Sequence, residues 1–196
     1  MFQVPFDHFP PPPEFRKYKE QLLEIIDADD NTMHRMTPSG EAVFDLKTDF
    51  FHNDKQRTFP KYMPIVEEAL EPYLTVLSDN LGFPVDIQAM WYQQTMRGQF
   101  HQVHNHGAVG MSAVWYLEFN PLAHKSTTFY CPFPDPLTGD LLNNNPVANE
   151  GDLLVFPSFL LHEQEPNDSD IRRTIISFNI AGVPRPTYKR PAWQGD

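Results

Sequence analysis

The eight residues Gln99-Phe-His-Gln-Val-His-Asn-His106 carry three of the chain's eight histidines. His104 and His106 stand one residue apart, so on an extended strand both imidazoles point to one face and can share one ion. Imidazole suits iron, zinc, nickel and copper. Two neighbouring histidines also arise by chance in a polar loop rich in Gln and His. His162 shifts that balance, because it directly follows the apolar run Leu153-Leu-Val-Phe-Pro-Ser-Phe-Leu-Leu161, where a buried strand would leave the core. A His-x-His pair joined by a third histidine from a distant strand is the donor set with which a β-barrel builds a metal centre. His101 falls on the opposite face from His104 if the segment stays extended, an outer or solvent-facing place. His8, His34, His52 and His124 lie in polar loops and take no role.

Arg173 is the second feature. It opens the apolar strand Thr174-Ile-Ile-Ser-Phe-Asn-Ile180 and shares a face with Ser177 and Asn179. A guanidinium is a planar fork that matches a carboxylate bidentately. Arg173 with Ser177 and Asn179 on one wall therefore predicts a carboxylate-bearing ligand, whereas Arg172 reads as a surface arginine. Cys131 precedes a proline with no paired base nearby, so nucleophilic catalysis has little support. No glycine-rich phosphate loop is present.

The elements that must position these residues follow from the apolar pattern. Residues 1–13, ending in four prolines, read as an arm lying on the domain. Glu14 to Asp27, with Tyr18, Leu22, Ile25 and Ile26 at helical spacing, predicts an amphipathic helix. Ala28 to Ser39 reads as a loop and Ala42 to Leu46 as a short strand. Lys61 to Leu81 is the longest helical pattern; Pro72 should kink or split it, and Gly82 should stop it. From Val85 the pattern turns to strands. Val85 to Met96 places Ile87, Ala89, Trp91, Gln93 and Thr95 on one face if extended. Met111 to Phe119, Thr127 to Phe133, Asp152 to Phe156, Phe159 to His162 and Arg173 to Ile180 follow, with a long polar loop at Pro134 to Asn149. Trp115, Tyr116 and Phe156 could wall a pocket, but aromatics at strand spacing read first as core. Two helices followed by six or seven strands predict an α+β domain whose sheets wrap into a barrel or sandwich.

Composition narrows the function classes. At 196 residues one domain is expected, divided into an N-terminal arm with supporting helices (1–84), a strand-rich core (85–182) and a tail (183–196). A formal net charge of −11 argues against a nucleic-acid partner, whose phosphates need clustered Lys and Arg. One cysteine forbids an intrachain disulfide, and with no signal-like start or long apolar run the expectation is a cytoplasmic protein with no membrane partner. Twenty prolines suit short strands and long loops.

From Trp91 to Asn179 the chain resembles the 2-oxoglutarate and Fe(II)-dependent dioxygenases, most of all their prolyl-hydroxylase-like branch in phages and marine bacteria. The resemblance rests on Trp91, Gly98, His104-Asn-His106, Ser112-Ala-Val-Trp-Tyr-Leu117, Gly151-Asp-Leu-Leu-Val-Phe-Pro-Ser158, His162, Arg173 and Ser177-Phe-Asn179 in this order. It implies a double-stranded β-helix (jelly-roll) core with the N-terminal helices packed outside. It implies Fe(II), 2-oxoglutarate and O₂ as cofactors, with His104, His106 and His162 as ligands. Arg173 would hold the distal carboxylate of 2-oxoglutarate, and Gln93 would belong to the same pocket. The implied reaction hydroxylates a small-molecule or peptide substrate and releases succinate and CO₂. In one respect the chain departs from the family: most members place Asp or Glu where His106 stands. Two further readings stay open at this point, a three-histidine cupin-like dioxygenase without 2-oxoglutarate and a non-catalytic jelly-roll binding protein.

Overall fold

The computed structural model describes residues 6–29, 32–36, 42–50 and 59–182, with backbone alone for 32–36 and 42–45. Its elements in chain order are β1 (Asp7–Phe9), α1 (Phe15–Asp27), β2 (Thr32–Met36), β3 (Ala42–Thr48), α2 (Met63–Leu81), β4 (Val85–Thr95), β5 (Phe100–His104) and β6 (Met111–Glu118). There follow β7 (Thr128–Tyr130), β8 (Asn143–Asn144), β9 (Leu153–Pro157), β10 (His162–Gln164) and β11 (Arg173–Gly182). Every strand pairing is antiparallel.

The strand order is β1-β9-β6-β11-β4-β3-β5-β10-β7-β8. It contains two four-strand sets, β9-β6-β11-β4 and β5-β10-β7-β8, with β3 bridging them. Strands close in sequence alternate between the sets, which is how a jelly roll wraps one sheet over another. The apolar residues sort accordingly. One cluster joins Tyr18, Leu22 and Ile26 of α1 and Val66, Leu70 and Leu77 of α2 to Met90, Tyr92, Trp115, Leu153, Val155, Ile176 and Phe178. The other, between the two sets, holds Val114, Tyr116, Phe129, Leu154, Phe156, Leu160 and Ile175. Strand alternation makes this division: Leu153 and Val155 face the helices while Leu154 and Phe156 face inward.

Several sequence expectations are corrected. The predicted loop at 28–39 contains β2, which pairs along β3 from Thr32 opposite Lys47 to Met36 opposite Ala42. The polar pattern there is that of a strand with no second apolar face to advertise it. Pro72 does not split its helix; α2 runs from Met63 to Leu81, anchored by residues buried on both sides of the proline, Val66 and Leu70 before it and Leu77 after. Gly82 ends it in the left-handed conformation at φ 75°, as expected. Ile87 leaves the face of Trp91 and Gln93 and joins the helix-side cluster. The cause is a bulge: Asn179 pairs with Ala89 and the next residue, Ile180, with Ile87, so β4 uses two residues where β11 uses one. The arm's residues 7–9 form β1 on the edge of β9, and the long loop contributes β8 opposite Phe129 and Tyr130. Residues 183–196, expected as a tail, lie outside the described residues.

The turn that leads into β10 gives a test of these faces. Leu160 is 6% exposed within the inner cluster, whereas its neighbour Leu161 is 40% exposed. Leu160→Ala is expected to lower unfolding stability by about 2–5 kcal/mol, and Leu161→Ala to change it by no more than about 0.5 kcal/mol. Urea midpoints of the two variants measure both; equal losses would mean that the chain enters β10 with the opposite face inward.

Candidate metal centre and its anion pocket

His104 ends β5 and His162 begins β10, and the two are directly opposed in the antiparallel ladder. Their rings lie with centroids 4.4 Å apart. His106 comes from the loop after β5, its ring 5.1 Å from both His104 and His162. One ligand nitrogen from each histidine falls within 4.8 Å of the others, a spacing that lets one cation touch all three. Nδ1 of His104 donates to the Gln102 carbonyl at 2.7 Å, and Nδ1 of His162 donates to the Leu160 carbonyl at 2.8 Å. Each bond fixes the tautomer that leaves Nε2 with its lone pair.

Burial keeps these rings neutral. Desolvation pulls His106 down to about 4, with the nearby His104 adding to the effect. Desolvation likewise takes His162 to about 3, and it lowers His104 as well, against the opposing Gln102 bond. Neutral imidazole is the form that binds a metal. Histidine-only donors fit a divalent transition metal and suit calcium or magnesium poorly.

His101 overturns its expected outward placement. Its ring stacks on His104 at 3.9 Å, and it lines the same cavity. The register explains why: His162 pairs with His104 but Gln164 with His101, so β5 spends three residues where β10 spends two. This bulge leaves Gln102 and Val103 exposed side by side and returns His101 to the inner face. Desolvation by burial lowers its ring further than any other in the group, and its Nδ1 meets Gln93 Nε2 at 3.1 Å.

The four histidines line one cavity. Gln93, Ser177 and Arg173 line it too, and all three are buried. Asn179 does not line it; its Oδ1 accepts from Ser112 at 3.0 Å. Arg173 is 2% exposed. Its Nη1 donates to Gln164 Oε1, while Nε and Nη2 have no hydrogen-bond partner among the described residues. The guanidinium rests over the Tyr116 ring at 5.3 Å. Burial acts against its charge and lowers its value. A buried cation with two orphaned donors is costly unless an anion answers it. A carboxylate is the shape that answers a guanidinium edge. Arg172, read as a surface residue, bonds Glu118 at 2.7 Å and Asp27 at 2.8 Å.

Sequence reading gave no cavity role to Gln164 or Trp91, which both line it. Gln164 shares the inward face of His162 at strand spacing and could have been found from that alone. Trp91 stacks parallel to His106 at 5.3 Å. Phe156, read first as core, is core and also cavity wall, 4.8 Å from His162. Trp115 is core only, its Nε1 donating to the Gly151 carbonyl. His8 meets buried Asp152 at 2.9 Å, and His124 accepts from the Asn120 N–H at 3.0 Å; neither is part of the cavity lining.

Residues 89–179 match the model of a family described as "Putative 2OG-Fe(II) oxygenase". No curated protein matches the chain. Among solved structures, the non-haem α-ketoglutarate-dependent epimerase SnoN from nogalamycin biosynthesis is 17% identical with a TM-score of 0.63, over 91% of this chain and 77% of that one. A prolyl-4-hydroxylase of Pseudomonas putida is 17% identical with a TM-score of 0.56, over 92% and 94%. A prolyl hydroxylase of Trichoplax adhaerens, solved with a hypoxia inducible factor peptide, is 12% identical with a TM-score of 0.58, over 89% and 82%. At such identities the structures speak for the jelly-roll fold. Among the described residues no helix is long and apolar enough to cross a membrane.

The depressed histidines make stability depend on pH in the metal-free protein. Their folded values lie below the ordinary 6.5, so between about 6.5 and about 3–4 the unfolded chain binds more protons. Stability is therefore whole above about pH 6.5 and drains away as pH falls through that window. His106 and His162 should each remove roughly 1–2 kcal/mol between pH 7 and pH 5. Urea unfolding in chelator at both pH values measures this; a flat profile would mean that the rings are solvated.

Proposed function

We propose, from the premise that the chain belongs through residues 89–179 to the 2OG-Fe(II) oxygenase family, that it hydroxylates a small-molecule or peptide substrate, with His104, His106 and His162 as the iron ligands. The observation that carries this reading is Arg173. Its Nε and Nη2 have no hydrogen-bond partner among the described residues, and the residue lines the same cavity as the three-histidine cluster, so one cavity offers a place for a metal and a place for a carboxylate.

With its iron and 2-oxoglutarate bound, the family's chemistry couples oxidative decarboxylation to oxidation of a substrate C–H bond, giving succinate, CO₂ and hydroxylated product. The residues of this chain supply placement and a dry wall. His104 and His162 present Nε2, held by their carbonyl bonds. Arg173 would take the distal carboxylate of 2-oxoglutarate on Nε and Nη2, with Nη1 kept in place by Gln164. Ser177 and Gln93 would contact the co-substrate between the two ends. Phe156 and Phe129, with centroids 4.8 and 5.9 Å from His162, shield that side from water. In the same reading α1 and α2 buttress the outer face of the sheet, and residues 85–182 form the catalytic core of one domain. A substrate carrying a nucleic-acid backbone is not expected at a net charge of −11.

Anaerobic titration with Fe(II) and then 2-oxoglutarate tests the proposal. A visible metal-to-ligand charge-transfer band should appear only when both are present. Arg173→Gln should weaken 2-oxoglutarate binding by about 2 kcal/mol or more, roughly thirtyfold, with Fe(II) affinity little changed. Iron binding without the band would favour a three-histidine dioxygenase that needs no co-substrate. An Arg173→Gln variant that binds 2-oxoglutarate like the wild type would remove the main support.

A further inference from the structure

His101 is the imidazole of the cavity that stands apart from the metal cluster. The ligand nitrogens that lie within 4.8 Å of one another belong to His104, His106 and His162, and His101 is not of that set. It lines the same cavity and lays its ring on that of His104, with centroids 3.9 Å apart and planes 19° from parallel. That is closer than the 4.4 Å between His104 and its rung partner His162.

The bulge in β5 makes this contact. Residues three apart on a regular strand face opposite ways, so His101 meets the His104 ring only because the ladder spends an extra residue between them. The same bulge carries the Gln102 carbonyl that accepts from His104 Nδ1 at 2.7 Å. One irregularity thus restrains His104 twice, at an edge of its ring and on a face. A bond at one edge leaves the ring free to tilt about it; a ring stacked on the face opposes that tilt.

His101 is itself anchored. Gln93 Nε2 donates to its Nδ1 at 3.1 Å, since an amide nitrogen has only protons to offer. Gln93 is buried on β4, and β3 pairs with both strands at these residues, Thr48 opposite Gln93 and Phe44 opposite His101. The bond therefore spans the bridge between the two strand sets. A phenyl ring at position 101 would keep the stack and lose the anchor.

We propose that His101 is a positioning residue for the metal centre: stacked on His104 and anchored by Gln93, it fixes the plane of that ring before a metal arrives. The proposal rests on the reading of His104, His106 and His162 as the metal centre. A ligand already held in its bound orientation loses less freedom on binding, and the difference appears as affinity. The fourth histidine then has a role without touching the metal, and Gln93 has one besides the co-substrate pocket.

Co(II) binding, followed by calorimetry and by visible absorption without 2-oxoglutarate, tests this apart from the oxygenase reading. His101→Ala should raise the Kd about 3–10-fold, the worth of an aromatic pair, and shift the Co(II) bands. His101→Phe keeps a flat ring without a nitrogen, so it should lose no more than about twofold and keep the wild-type bands. In a His104→Ala background the His101→Ala change should add almost nothing, because it acts through that ring. Gln93→Leu should cost about twofold, and only when His101 is present; it keeps the test open if His101→Ala does not fold. Wild-type affinity and bands in His101→Ala would overturn the proposal. So would equal losses with and without His104, or a His101→Phe as weak as His101→Ala, which would make His101 a ligand. A wild-type protein that does not bind Co(II) would remove the metal centre and the proposal together. Co(II) binding with these dependences, but no charge-transfer band from Fe(II) and 2-oxoglutarate, would leave it standing and sink the oxygenase mechanism alone.

Discussion

The antiparallel contact between β5 and β10 is the constraint on which the centre depends. It opposes His104 to His162 across one rung and so brings together residues 58 positions apart in the chain. A strand pair has a side-chain period of two, so a slip of one residue would turn one histidine outward. The register is held from both sides, by the pairing of β10 with β7 and of β5 with β3. The bulge within the same ladder then adds His101 to the inner face. A short, irregular contact between two strands of three and five residues therefore decides how many imidazoles meet.

The polar interior is unusual in how its charges are distributed. Four histidine rings lowered by burial and one buried guanidinium gather around one cavity. Such a site is costly to the folded state taken alone, since desolvated polar groups contribute only when partners answer them. Most of its second-layer groups are answered: Gln164 by Arg173 and Thr95, Tyr116 by Thr127, Ser112 by Ser158 and Asn179. The exceptions are Nε and Nη2 of Arg173. Stability is spent where a metal and an anion would return it, which is the usual relation between a binding site and its scaffold.

His106 shows how a loop residue can be placed as firmly as a strand residue. Gly110, at φ 94°, lets the loop rejoin β6 where an added Cβ would lie 2.8 Å from the Ile180 carbonyl. The tight return brings the Gly110 carbonyl to the Ser158 N–H and the Ser158 carbonyl to the His106 N–H. Position 106 is thereby tied to the β9–β10 turn, and through it to the strand that delivers His162. Loop and strand ligands share one rigid support, as a preorganised centre requires.

Much of this protein was legible in its sequence. The spacing of His104 and His106, the apolar run leading to His162, and Arg173 at the head of an apolar strand named the residues that meet around the cavity, because residue type and strand period are local properties. The helices at Tyr18–Ile26 and Met63–Leu81 and the stop at Gly82 were visible for the same reason. Three things were not visible. Bulges in β4 and β5 reversed the faces of Ile87 and His101, because an extra residue is defined only against a partner strand. The strand β2 was hidden because its pairing with β3, not its own pattern, makes it a strand. Asn179 shares strand parity with Ser177 yet bonds Ser112 and is not part of the cavity lining, since parity gives a face and not a neighbour. The sequence determined which side chains can do chemistry; hydrogen-bond register between strands distant in the chain decided which of them face one another, because register is a property of pairs and no single strand carries it.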